Sequence, residues 1–153
     1  MSWRHMVLVG AAVVVATVAA LLSDNPRAIA QTSARTPAPG EGVICAWAIY
    51  TVALEVGTRC HPGEDADVQA ELQHSVSMVD AYVTANTNPH ATQQQLDEFK
   101  RSQGHVGEPL ASLCHGDPEQ LYRSIVQQGA PAIRESVSGL VSRPGEPTWG
   151  TCL

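Results

Sequence analysis

The sequence predicts an all-α domain, a small disulfide-stapled bundle of four to five helices. Three observations lead there. Apolar residues recur at intervals of three and four along the second half of the chain, the period of one helical face. No stretch reads convincingly as a strand, and no internal repeat is visible. All four cysteines lie beyond an apolar leader-like segment, and two of them open matching hexads, "CHPGED" from Cys60 and "CHGDPE" from Cys114.

Taken in order, the chain begins with Arg4 and His5 ahead of an apolar run over 6–22, then a helix-breaking Pro26 and the small-residue triplet Ala28-Ile29-Ala30. This arrangement is that of a signal peptide over residues 1–30, with cleavage after Ala30. The apolar run also reaches the lower limit of about 17 residues for a membrane span. The alternative is therefore an uncleaved anchor that holds the protein to the inner membrane by residues 6–22. Residues 31–42, "QTSARTPAPGEG", have the Ser, Thr, Pro and Gly content of a flexible linker, which places the helical domain at 43–153.

The stretch 43–54 is almost wholly apolar, with only Thr51 interrupting, and its length and alanines favour a helix buried around most of its circumference. Val, Ile, Tyr and Thr there leave a strand as the competing reading. Gly57 and the turn after Cys60 are expected to end it. Val68, Leu72, Val76, Val79 and Val83 then mark one face of a second helix, stopped by Asn86-Thr87-Asn88-Pro89. Thr92 and Gln95 form a capping-box pattern that opens a short helix carrying Leu96 and Phe99.

Leu110 and Leu113 fit a single turn before Cys114. Asp117-Pro118 is a strong helix start, because aspartate can cap free amides and proline has no amide to leave unsatisfied. Leu121, Tyr122, Ile125 and Val126 line one side of that helix. Gly129 and Pro131 separate it from Ile133, Val137, Leu140 and Val141, as two helices or as one with a kink. The end, "SRPGEPTWGTCL", is expected to be irregular.

An even number of cysteines in an exported chain predicts two disulfides. A helix from Cys45 to about Arg59 separates its ends by about 20 Å, whereas a disulfide requires Cα atoms within about 7 Å, so Cys45 does not pair with Cys60. The path of the chain favours Cys60 with Cys114, leaving Cys45 with Cys152. That pairing brings His61 and His115 together, and with Asp65, Asp117 or Glu119 they are the candidate ligands for a zinc or copper ion. The plainer reading makes both histidines exposed turn residues, with no metal and no cofactor. Haem attachment is excluded, because neither Cys-His pair has the cysteine it would need three positions earlier.

Other constellations are weaker. Asp67, Glu71 and His74 share a helical stripe with the E-x-x-H spacing of di-iron bundles, but the second such motif is missing, and the stripe reads as a solvated face. Glu55 and Arg59 have helical salt-pair spacing. There is no G-x-S-x-G, H-E-x-x-H, C-x-x-C, phosphate-cradling glycine loop or EF-hand. Trp149, flanked by Gly and Thr near a terminal cysteine, is a candidate binding residue.

The formal charge is -6, and without residues 1–30 seven basic face fourteen acidic side chains, so nucleic acid is a poor partner. The expectation is an exported, non-catalytic protein of the periplasm or the exterior, acting as an interaction module for an unidentified protein of the cell envelope. The alternatives are a small-ligand or metal-binding protein and a hydrolase with an unrecognised site. Membrane contact is expected only if the N-terminal segment is uncleaved.

Overall fold

A computed structural model of the chain describes residues 36–150. The expected signal segment, the first five residues of the linker, and Cys152 lie outside the described residues. Those described form five helices and no strand: α1 (Val43–Cys60), α2 (Ala66–Asn86), α3 (Gln93–Gln103), α4 (Leu110–Leu113) and α5 (Asp117–Leu140). The long helices α1, α2 and α5 pack on one another, while α3 and α4 lean on α1.

Because neighbours surround α1 on several sides, its apolar residues need no single stripe. Val43, Trp47, Tyr50, Ala53 and Val56 are all buried, and so is Thr51. This settles the competition between helix and strand. Among the described residues α1 is the one helix long and apolar enough to cross a membrane, and more than half of it is buried inside the fold, as expected of a core helix. It does not stop at Gly57. The ring of Tyr122 from α5 lies where a side chain would be, with Cε2 2.8 Å from the position of a Cβ, so the glycine permits close approach instead of ending the helix.

The periodic face of α2 is buried at all five expected positions, Val68, Leu72, Val76, Val79 and Val83. The helix ends at Asn86, where the sequence places its stop signal. In α3 the capping box is complete: Thr92 accepts from the Gln95 amide, and the Gln95 side chain accepts from the Thr92 amide. Leu96 is buried beneath it. The single turn at Leu110 is α4.

At α5 the residue flanking the helix is Gly116, and Asp117 is already helical, so the expected aspartate cap is absent. The helix runs through Pro131 with a kink at Gly129, whose φ of 79° and ψ of 161° are non-helical. Pro131, two residues on, has no amide to offer the preceding turn, so the break falls where the helical hydrogen bonds are already interrupted. Tyr122, Ile125, Ile133 and Val137 are buried along it.

After α5 the chain is irregular but firmly attached. The Tyr82 hydroxyl lies 2.9 Å from the Arg143 carbonyl and 3.0 Å from that of Gly145. Thr148 donates to the Gly40 carbonyl and accepts from the Ile44 amide, and Arg143 donates to the Pro37 carbonyl. Residues 37–42, expected as part of the linker, are thus hydrogen-bonded into the domain. Gly40, at φ 81°, makes this possible: a Cβ there would lie 2.2 Å from the Glu146 carbonyl oxygen.

Candidate functional site

The disulfide joins Cys60, the last residue of α1, to Cys114, three residues before α5, with a Cα separation of 5.5 Å. It brings the α1–α2 turn over the start of α5. There His61, which follows Cys60 directly, is 14% exposed at its side chain. Its Nε2 lies 2.9 and 3.1 Å from the two carboxylate oxygens of Glu119, and its Nδ1 lies 3.3 Å from Glu64 Oε2. The imidazole stacks on Tyr122 at a centroid distance of 5.0 Å and an angle of 11°.

Partners extend the cluster. Arg123 contacts Glu119 at 2.6 Å, one helical turn along α5. The Tyr122 hydroxyl donates to Asp65 at 3.2 Å, and Gln69 donates to the carbonyls of His61 and Glu64 at 2.9 and 2.8 Å. Gln69 therefore satisfies two carbonyls of the turn that no helix continues.

A neutral imidazole has one N–H, yet both ring nitrogens here face carboxylates, so only the imidazolium satisfies both. The hydrogen bond to Glu119 accordingly raises the His61 pKa above its ordinary 6.5, against the opposing effect of burial, with Glu64 adding to the rise. Burial pushes Glu119 up, but His61 and Arg123 together outweigh it and hold the carboxyl below its ordinary value. Burial raises the Tyr122 phenol.

The cleft bordered by His61, Glu64, Asp65, Tyr122 and Arg123 measures about 160 Å³. Small-molecule sites generally need roughly 300–1,000 Å³. The lining of the cleft is carboxylate, imidazole, phenol, guanidinium and amide groups with Val126, and none of these residues is a serine, threonine or cysteine.

Of the two candidate metal ligands, His61 is engaged with acids, whereas His115 is exposed and makes no hydrogen bond among the described residues. The disulfide does not join them into one cluster. Among the described residues no group of three or more His, Cys, Asp and Glu side chains is arranged to hold a metal ion. Glu119 was foreseeable as a neighbour of His61 from the paired hexads. The part played by Tyr122 was not, since its spacing marks it only as a core residue.

Three other clusters fasten the helices. Trp47 donates to Asp80, which also pairs with Lys100, and the indole stacks on Phe99 at 4.1 Å. Phe99 in turn meets Trp149 at 6.0 Å, and Trp149 remains 50% exposed. Arg59 pairs with Glu55 at 2.8 Å as its spacing predicts, and both reach the 107–108 segment, through the Gly107 amide and the Glu108 carbonyl. Glu71 departs from the expected solvated stripe: it is 5% exposed and ion-paired with Arg134 of α5, because α5 crosses over that face of α2.

Cys45 is also disulfide-bonded; Cys152, its expected partner, lies outside the described residues. No protein-family model, curated protein or solved structure matches the chain.

Proposed function

We propose that this chain is an exported, non-catalytic protein of the periplasm or the cell exterior, and that its disulfide-stapled bundle is an interaction module for a protein of the cell envelope. The observation that carries this reading is the disulfide between Cys60 and Cys114, since such bonds persist in oxidising compartments and are rare in the cytosol. The apolar run over 6–22 followed by Ala28-Ile29-Ala30 supports the same compartment. The small volume of the cleft at His61, about 160 Å³, favours contact over turnover. Trp149 supplies a half-exposed indole backed by Phe99 and Trp47, and tryptophan is prominent among residues that dominate protein interfaces.

Intact mass and fractionation of the cellular protein test the compartment: a soluble periplasmic product beginning at Gln31, with no thiol reactive after denaturation, is expected. Retention of residues 1–30 in the membrane fraction means anchorage by residues 6–22 instead, and cytoplasmic protein with free thiols overturns export. A photo-crosslinking residue at position 149 is expected to trap an envelope protein that the same residue at exposed Ser138 does not. Equal or absent trapping at the two positions overturns the role of Trp149.

A further inference from the structure

The five-residue turn 61–65 is fixed at one end by the Cys60–Cys114 disulfide and at the other by the first turn of α2, where the Gln69 amide bonds to the Asp65 carbonyl. Between these points the backbone takes left-handed angles at Gly63 (φ 83°) and Asp65 (φ 45°). For Asp65 that conformation is held by its surroundings. The His61 side chain joins this hold through its ring stack and carboxylate contact on α5, beside the Tyr122 hydroxyl on Asp65 and the Gln69 carboxamide on the turn's carbonyls.

We propose that His61 is a pH-operated latch within the turn: its imidazolium, seated on Glu119 and Tyr122 of α5, bonds Glu64 on its other side, and loss of the ring proton releases Glu64. The geometry supports this. A neutral ring that keeps its N–H toward Glu119 presents the lone pair of Nδ1 to the Glu64 carboxylate at 3.3 Å, which replaces an attraction with a repulsion. Glu64 is 68% exposed at its side chain, so its carboxylate is free to swing away from the ring and leave the hydrogen bond of its own amide less shielded.

The groups facing the ring are few. From its own turn come Glu64 and Asp65, the latter accepting from the Tyr122 hydroxyl. From α5 come Glu119, Tyr122 and, on the far oxygen of Glu119, Arg123. From α2 comes only the uncharged carboxamide of Gln69, whose bonds to the turn do not titrate. Arg59 is engaged with Glu55 and the Glu108 carbonyl. Arg123 keeps Glu119 compensated after the imidazole is neutral, so loss of the ring proton is felt at the contact with Glu64.

The test uses isotope-labelled protein in the form the cell accumulates. Imidazole resonances give the titration midpoint of His61, and hydrogen exchange of the Glu64 amide, which bonds to the His61 carbonyl, reports the turn after correction for intrinsic rates. Expected are a midpoint above 6.5, a several-fold loss of Glu64 protection across it, and a lower midpoint in Glu64→Gln. In His61→Gln the protection should no longer depend on pH. A midpoint at or below 6.5, protection that ignores pH, or a pH dependence that persists in His61→Gln overturns the latch. If His61→Gln does not fold, the wild-type titration and Glu64→Gln decide the matter by themselves.

Discussion

The indole of Trp47 donates to the carboxylate of Asp80 across the α1–α2 interface at 2.8 Å. The other oxygen of Asp80 accepts from Lys100, so one carboxylate joins three helices. Trp47 is 2% exposed, and removal of the acceptor strands its N–H away from water. Asp80→Ala is expected to lower stability by about 1–3 kcal/mol. Asp80→Asn retains an acceptor for the indole and should lose less. Urea denaturation, read as the midpoint at unchanged slope, compares the two.

The Cys60–Cys114 bridge closes a sequence separation of 54, for which the chain-entropy relation gives about 4 kcal/mol, inside the general range of about 2–5 kcal/mol for small secreted domains. Cys60→Ser combined with Cys114→Ser should fall in that range by thermal or urea unfolding. Non-reducing peptide mapping should join these two cysteines, and a Cys45–Cys152 peptide is the expected second product.

Glu71 and Arg134 are unequal partners. The carboxylate is buried with one oxygen lacking a hydrogen bond, while the Arg134 side chain is 64% exposed. Arg134→Ala leaves the charge buried and should cost about 1–3 kcal/mol. Glu71→Met removes the charge itself and should be nearly neutral or stabilising, because an apolar side chain of similar length needs no partner. Equal losses in the two variants, measured by urea denaturation, would refute this asymmetry.

Stability should also depend on pH through His61 and Glu119. The raised folded pKa of His61 makes its contribution complete below about 6.5 and lost as pH rises through the folded value. Glu119 is lowered, so its contribution is complete above its unfolded value and lost as pH falls through the folded one. The difference between wild type and His61→Gln should therefore be largest at pH between about 5 and 6.5, and shrink on either side. At its maximum a loss of about 1–2 kcal/mol is expected for a charged hydrogen bond with a ring stack. His115→Ala should stay within about 0.5 kcal/mol at every pH. Denaturation midpoints taken across that range decide it.

The sequence alone determined the parts of this protein that depend on neighbours along the chain. The buried face of α2 is legible in the spacing of Val68, Leu72, Val76, Val79 and Val83, and the start of α3 in Thr92 and Gln95, because both depend on the period and free amides of a single helix. The Cys60–Cys114 pairing was reachable as well, since helix length excludes one alternative and the path of the chain disfavours the other. What only the tertiary structure decided lies where helices cross. Gly57 continues a helix because Tyr122 needs its space, and Glu71 is buried because α5 covers it. His61 is held between two carboxylates, and His115 is exposed, because Glu119 projects toward one and not the other. Identical Cys-His dipeptides thus acquire different surroundings, and the pKa of His61 is raised by a carboxylate contributed from a distant segment, which local spacing does not encode.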